Sequence, residues 1–429
     1  MNIESILLFE SERVDYLYPF SILHCAWEIR CGALMLFEKI HKQFPDARII
    51  YKGREKYIKS FLARFEHNEQ DLRKENILVI NSSLLPDSGF WNNIDKVYSQ
   101  FQLQNTEKKS AVFRYRNYPV AAYIPKNELI NPTEFDKHFL PKLLYEFANV
   151  LPQIDIEEPK VINFLWDAIE HNSIAINDDF RFFIHDASID KLKKSGVYLI
   201  NEDKIKIDKT SEIAPTVVLD ASEGPIIIGK EVKIQPQTVI YGPTFIGDNT
   251  LVKCGAKIFS KTSIGHWCKV GGEIENSIIQ SYSNKQHEGF LGHSYLCEWV
   301  NIGAGTNTSD LKNTYSNINV QLKSGEINTE RMFLGLLCGD HTKSAINTTF
   351  TTGTIAGICG ILVADGFLPN SIPSFAWRGT KGCTHYKIDK ALETAQIVMQ
   401  RRNKNLLPEE IELINSEYNM VISRKKPVD

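Results

Sequence analysis

IGKEVK IQPQTV IYGPTF IGDNTL VKCGAK IFSKTS IGHWCK VGGEIE, residues 228–275 written as consecutive sixes, decides the architecture of the larger part of the chain. Every six opens with Ile or Val, at positions 228, 234, 240, 246, 252, 258, 264 and 270. A triangular coil of parallel β-structure uses three six-residue sides per turn, with one aliphatic side chain of each side pointing to the axis. Each turn then buries its three aliphatics on those of its neighbours. Small and turn-forming residues at the next positions, as in IGDN and IGKE, suit corners where Gly or Asn takes positive φ. The pattern predicts a parallel β-helix.

Downstream the repeat falters after Val270, recovers as Phe290, Leu296 and Ile302, breaks again over residues 309–332, and returns around Leu334 and from Ile346 to Ile358. Interruptions of a coil are where loops leave it, and loops concentrate binding groups. The end, IDKALETAQIVMQRRNKN (388–405), has helical spacing and closes on basic residues, which suit a helix C-terminus. Upstream, short apolar runs (ESILLF, ARIIYKG, NILVIN, SAVFRY, YPVAAYI) alternate with segments of helical spacing such as ALMLFEKIHKQF and FLWDAIEH. That alternation predicts an α/β domain with a largely parallel, Rossmann-like sheet and ligands near the carboxyl ends of its strands. The expected division is 1–205 for the α/β domain, 206–380 for the coil and 381–429 for a helical extension.

The 429 residues suffice for two or three domains, and 43% hydrophobic with 24% charged residues is the make-up of a folded chain. A net charge of -3 gives no global field to recruit nucleic acid or an anionic membrane. No apolar stretch is long enough to cross a bilayer and no signal segment opens the sequence, so a cytoplasmic location is expected. The eight cysteines form no C-x-x-C pair and lie scattered in apolar runs, as reduced, mostly buried thiols do.

The first interruption holds His287. Around it the sequence supplies Glu273, Lys285, Glu288, Asn301, Asp310 and Lys312, a high density of polar groups for a coil wall. A histidine can make an amine nucleophilic near neutral pH, and a carboxylate can orient the imidazole or hold the substrate ammonium. An asparagine can position an amine or a thioester carbonyl without adding charge. A histidine in a β-coil also serves as a surface or stacked corner residue, the role expected of His266 and His293.

HEGFLG (287–292) followed by VNIGAGT (300–306) resembles the acetyltransferase half of the bifunctional N-acetylglucosamine-1-phosphate uridyltransferase / glucosamine-1-phosphate acetyltransferase family. The resemblance implies a left-handed coil, His287 as general base, Asn301 as a site asparagine, Glu273 as a carboxylate meeting the substrate amine, and Phe290 in place of a tyrosine. The family's phosphate-contacting lysine falls on Glu275, its arginine one turn earlier on Lys257, and its N-Y-D-G loop on SDLK (309–312). Lys312 and Lys285 are the candidates to take over the phosphate contact, with Asp310 beside the substrate. NSIIQSYSNKQHEGFLG, EWVNIGAGTNTSDLKN, GDHTKSAIN, IPSFAW and YKIDKALETA are similar to a variant, Bacteroidetes-type branch described as sugar-nucleotidyltransferase-like.

A sugar-1-phosphate nucleotidyltransferase usually carries a G-x-G-T-R loop after its first strand, whose backbone N–H groups approach the phosphates. Here LLFESERVDYLYPFSILHCAWEIRCGALML has no glycine before Gly32. The variant branch keeps R-x-x-L-x-P and R-P-x-x-E-x-R-x-G, which Arg13, Leu17 and Pro19, then Glu28, Arg30 and Gly32, approximate. The resemblance makes Arg13, Glu28 and Arg30 nucleotide-binding candidates. Asn81 is a further nucleotide-binding candidate, because it ends a strand where a metal-binding aspartate would suit Mg²⁺-dependent chemistry, with Asp87 as a substitute.

The resemblance thus implies a homotrimeric enzyme of sugar-nucleotide biosynthesis. Its coil would transfer an acetyl group from acetyl-CoA to an amino sugar-1-phosphate. Its N-terminal domain would join a sugar-1-phosphate to UTP or dTTP with Mg²⁺. Two alternatives stand: a nucleotidyltransferase alone, such as a glucose-1-phosphate thymidylyltransferase, with the coil as an oligomerising or regulatory module; and a non-catalytic binding scaffold.

Overall fold

A computed structural model describes residues 1–68, 70–105, 107–128, 142–363, 366–379 and 382–423. The chain divides into two compact units: Met1–Leu17 with His24–Ile29 and Met35–Asn163, and Tyr18–Leu23 with Arg30–Leu34 and Phe164 onward. The expected boundary at 205 therefore differs from the observed one. Residues 164–205 join the coil because Tyr198–Ile200 already pairs in parallel with Val218–Asp220 on a coil wall. Moreover Ile176, in the helix Leu165–Asp179, is buried with Ile227 and Phe245. The expected boundary at 380 lies outside the described residues.

The first unit is a mixed sheet of β1 (Ser5–Phe9), β2 (Arg48–Lys52), β3 (Ile77–Asn81), β4 (Ala111–Tyr115), β5 (Tyr118–Ile124) and β6 (Gln153–Asp155), in the order β2-β1-β3-β5-β4-β6. Its helices include α1 (Leu36–Gln43), α2 (Glu55–Arg64), α3 (Ser88–Gln104) and α4 (Leu143–Val150). β1 pairs in parallel with β2 and β3, as the alternation of strand and helix predicts. β5 runs antiparallel to both β3 and β4, so the sheet is less parallel than expected. The cause is local: only Arg116 and Asn117 join β4 to β5, and a two-residue link can close only an antiparallel hairpin. Arg116 supplies the positive φ, 55°, that such a turn needs. Strands β1 and β3 are buried throughout, and helices cover the sheet with Phe37, Phe61, Phe90, Trp91 and Leu143.

The second unit is a parallel β-solenoid with three walls. On one wall Ile207, Ile228, Ile246, Ile264, Ile279, Leu296, Cys338, Ala356 and Ile372 stack in succession. On a second, Leu219, Ile240, Ile258, Ile274 and Leu291 do the same, and on the third Ile213, Ile234, Val252 and Val270. These side chains form one continuous core, with Ile246, Ile258 and Ile264 fully buried. The repeat does not stop at Val270, as the sequence suggests. Some sides are shorter than six residues, Val270 to Ile274 and Leu291 to Leu296 among them, which shifts the reading frame, and Leu291 rather than Phe290 takes the inward place. At Gly265 a Cβ would collide with the Gln280 carbonyl of the next rung, so only glycine lets the turns approach there.

The coil is followed by α7, here numbered after α5 (Leu165–Asp179) and α6 (Ile189–Lys194), over Ile388–Gln400, and by α8 (Pro408–Ser423). Among the described residues no helix is long and apolar enough to cross a membrane. Ile258 tests the core: Ile258→Ala leaves a hole between Ile240 and Ile274, and the loss expected is about 2–5 kcal/mol. A urea midpoint equal to that of the unmodified chain would contradict a tightly stacked column.

Candidate functional site

The third wall changes character where the sequence changes. Asn284–Lys285 pairs with Lys269–Val270, and Lys285 falls opposite Val270, in the inward column that aliphatics otherwise fill. Its side chain is 2% exposed. The ammonium is satisfied by backbone, donating to the carbonyl of Gly271 at 3.0 Å and to that of His287. Burial pulls the Lys285 pKa down to about 8, with Lys257 adding to the fall and Glu288 opposing it.

That inward lysine draws the His287 carbonyl toward the axis and leaves the imidazole on the outside of the corner. His287 and Glu288 are both exposed, and the imidazole has no hydrogen-bond partner among the described residues. Gly289 completes the corner with φ 125°, and a Cβ there would run into the Thr306 carbonyl.

Beyond the corner, Phe290 lies in register with Glu273, and Glu273 in register with Lys257. These three form an outward row on the wall that follows His287. Lys257 Nζ is 3.4 Å from Glu273 Oε2, both side chains being substantially exposed, so the pair is a weak but available charge contact. Phe290 N–H donates to Asn307 Oδ1 at 2.9 Å. Asn301 stands on the wall that precedes the corner, bridged to Asn284 and Lys343. Its Oδ1 accepts from Asn284 Nδ2 at 3.4 Å, and Asn284 Oδ1 accepts from Arg402 at 3.3 Å.

Asp310 and Lys312 are engaged elsewhere. Asp310 Oδ2 is 2.8 Å from His293 Nδ1, and Lys312 Nζ donates to the Asn317 carbonyl at 2.8 Å. Lys257 was visible in the sequence only as a substitution for an arginine, and His293 only as a corner residue. The coil period held the clue to the second: residues about one turn apart stack, and His293 and Asp310 are 17 positions apart.

In the first unit the structure brings Arg13 and Asn81 together and separates Glu28 from them. Phe9 and Asn81 end the adjacent parallel strands β1 and β3, the place where open α/β sheets receive ligands. A cavity of about 40 Å³ there is lined by Ser11, Arg13, Asn81, Tyr118 and Tyr145. Arg13 Nη1 donates to Asn163 Oδ1 at 3.2 Å, and its guanidinium lies 5.7 Å from the centre of the Tyr118 ring. Asn81 Oδ1 accepts from Ser83 N–H at 3.0 Å and from its hydroxyl at 3.1 Å.

Glu28 and Arg30, expected to bind nucleotide, are enclosed instead. Glu28 is 1% exposed, ion-paired with Arg64 at 2.6 Å and bonded to His24. Burial raises its pKa, but Arg64 and His24 outweigh that and hold the carboxyl below its ordinary value. Arg30 is fully buried in the second unit, where its Nε donates to the Gln280 carbonyl at 3.2 Å and Nη1 to the Ala33 carbonyl. Both side chains are thus kept out of water, Glu28 by its charged partners and Arg30 by burial that leaves its Nη2 without a hydrogen-bond partner among the described residues.

Where a glycine-rich loop would follow β1, this chain has Glu10. Its carboxylate accepts from the backbone N–H groups of Ala26 and Arg54, both at 3.0 Å, and from the Arg54 guanidinium at 3.0 Å. The donors that a phosphate would seek are thereby occupied by a carboxylate of the chain itself. Asp87 is likewise committed, as the N-cap of α3 and partner of Lys160 at 2.7 Å. No group of three metal-ligating side chains occurs among the described residues.

Residues 6–188 match the family model described as sugar nucleotidyl transferase. The chain is similar to bifunctional protein GlmU of Rippkaea orientalis, 27% identical over 237 residues that cover 50% of each chain. It is similar also to bifunctional protein GlmU of Methanococcus aeolicus, 26% identical over 317 residues, 69% of this chain and 73% of that one. A third relative is a bifunctional sugar-1-phosphate nucleotidylyltransferase/acetyltransferase of Sulfurisphaera tokodaii, 30% identical over 141 residues, 32% of this chain and 34% of that one. The chain spans about half the length of the curated relatives it matches. A crystal structure of UDP-N-acetylglucosamine acyltransferase aligns with 52% of this chain and 92% of its own at 14% identity and a TM-score of 0.17, too low to bear on function. In this chain a region similar to the sugar nucleotidyl transferase family thus precedes a parallel β-helix.

Lys285 yields a prediction. Its charged form is penalised in the fold, so the folded chain releases this proton near pH 8 and the unfolded chain only at the ordinary lysine value. Between those limits the unfolded state binds more protons, and stability rises with pH. Lys285→Met should lose that rise in urea titrations from pH 8 upward, whereas an identical pH profile in both proteins would refute the burial penalty.

Proposed function

We propose that this chain is a two-part transferase of sugar-nucleotide synthesis, whose coil transfers an acetyl group from acetyl-CoA to the amine of an amino sugar-1-phosphate. The observation that carries the reading is the His287 corner, an exposed imidazole turned outward by a lysine in the coil's inward column, beside the Glu273 row. His287 takes a proton from the amine as nitrogen attacks the thioester carbonyl, and the thiolate of CoA leaves. Glu273 meets the substrate ammonium before deprotonation, a role its loose contact with Lys257 leaves open. Phe290 flanks the sugar, and Lys257 or Lys285 faces the phosphate. Lys257, on the exposed row, is the better of the two, since the Lys285 ammonium is already bonded to two carbonyls. Asn301 positions the amine or the thioester carbonyl. As in the family it resembles, the chain would form a homotrimer with sites between adjacent coils, and its blocks of resemblance place it with the variant Bacteroidetes-type branch.

The N-terminal domain we assign to nucleotidyl transfer onto a sugar-1-phosphate from UTP or dTTP, with Arg13 and Asn81 at the strand ends as the nucleotide contacts. The match of residues 6–188 supports the domain's class. The occupied donors around Glu10 favour a weak nucleotide site over a strong one.

Two assays on the full chain separate the halves. With glucosamine-1-phosphate and acetyl-CoA, His287→Ala should lower CoA release about 10²–10⁴-fold, the ordinary worth of a general base. Undiminished release would remove His287 from the mechanism, and no release by the unmodified chain would leave the coil an oligomerising module. With UTP or dTTP and a sugar-1-phosphate, Arg13→Ala should cut pyrophosphate release at least about tenfold, the worth of one charge-assisted contact. Unchanged release would move the nucleotide away from the β1 and β3 ends.

A further inference from the structure

The corner after His287 is built differently. The coil turns again at His293, with φ 42°, and here the imidazole is not free: Asp310 Oδ2 lies 2.8 Å from Nδ1, and the ring stacks on Phe333 with centroids 5.0 Å apart. A carboxylate at Nδ1 keeps the proton there and leaves Nε2 as an acceptor. His293 closes one side of a cavity of about 190 Å³ within the second unit, whose other walls include Trp166 and Ile169 of α5, Asn276 of the coil, and Met332 and Phe333 of the excursion that leaves it.

Three features define what the cavity would take. Asn276 Oδ1 is buried without a hydrogen-bond partner among the described residues, an arrangement that favours a bound donor. Arg331, the one Arg or Lys among the described residues that line the cavity, is paired through Nη2 with Glu170 and faces Asp167, so its charge is answered by carboxylates, while its Nε keeps an unpartnered donor. Met332 and Phe333 are 45% and 44% exposed, apolar surface offered to whatever enters. Acceptors on Asn276, His293 and Glu170, a donor at Arg331 Nε, flat apolar walls and no unanswered positive charge match a small neutral or amino-bearing ring with several hydroxyl groups.

We propose that this cavity binds the ring of an unphosphorylated monosaccharide. One hydroxyl or amino group donates to Asn276 Oδ1 and another to His293 Nε2, while the C–H face of the ring rests on the aromatic and aliphatic walls. The volume, below that of a drug-sized site, suits one sugar ring without a nucleotide. Asp310 then serves as the residue that fixes the His293 tautomer. The proposal does not rest on the assignment of His287.

The test titrates the full-length chain with glucose and with glucosamine, neither carrying phosphate, and follows binding by saturation-transfer NMR and calorimetry. Millimolar binding of at least one sugar is expected. It should weaken at least tenfold in Asn276→Gly and in His293→Asn, both compatible with the left-handed backbone at these positions. His287→Ala should bind as the unmodified chain does. Melting temperatures establish that the two variants fold. Should they not, Met332→Trp, at a half-exposed position, narrows the mouth without disturbing a buried contact and must weaken binding by itself. The proposal fails if neither sugar binds the unmodified chain, or if the folded variants or Met332→Trp bind normally. It fails too if His287→Ala abolishes binding, because the ring would then sit at the other corner.

Discussion

Every side of the coil must fill one inward position with a side chain that stacks on the rung before and the rung after. Ile, Val and Leu meet that demand at little cost, and Ile246, Ile258 and Ile264 show the usual solution. Lys285 meets it differently. The methylenes continue the column above Val270, and the ammonium is held by carbonyls of its own corner. A buried cation is tolerated only where such acceptors are already in place. Hence the chain around it has little freedom, and the outward direction of His287 follows from the packing of a residue two positions away.

The coil was legible because burial and sequence speak the same language there: a fixed interval, one aliphatic per interval. Legibility failed where a side shortened. Sides such as Val270 to Ile274 and Leu291 to Leu296 are short of six residues, and a strict count of six back from Leu296 places Phe290 inward, whereas Leu291 occupies the core. The excursion after Thr308 is announced by the loss of aliphatics, but where its side chains return to the coil is not. Asp310 and His293 meet through the pitch of the solenoid, a three-dimensional distance that only the period translates into sequence.

In the α/β unit the strands were legible and their directions only in part. The turn at Arg116 and Asn117 is too short for a crossover, and that alone makes β5 antiparallel. Of the residues proposed for nucleotide, Arg13, taken from a motif, and Asn81, taken from its place at a strand end, share the strand-end cavity. Glu28 and Arg30 do not, because a motif records which residues accompany one another and not whether they face water. Arg30 also belongs to a segment, Arg30–Leu34, that packs with the coil's unit although it lies within the first forty residues of the chain. No local pattern marks such a crossing.

Glu10 has one more consequence. Its two oxygens bond the N–H groups of Ala26 and Arg54 and the Arg54 side chain, in effect a resident anion tethered to the chain. A tethered group competes as if dissolved at a high effective concentration, and dilution never reduces it. Any triphosphate reaching for those donors therefore contends with an intramolecular rival that is present in every molecule at every moment. Its apparent affinity would be set by the difference between two anions rather than by the strength of its own contacts. Removal of that one carboxylate would change the difference without altering any other residue.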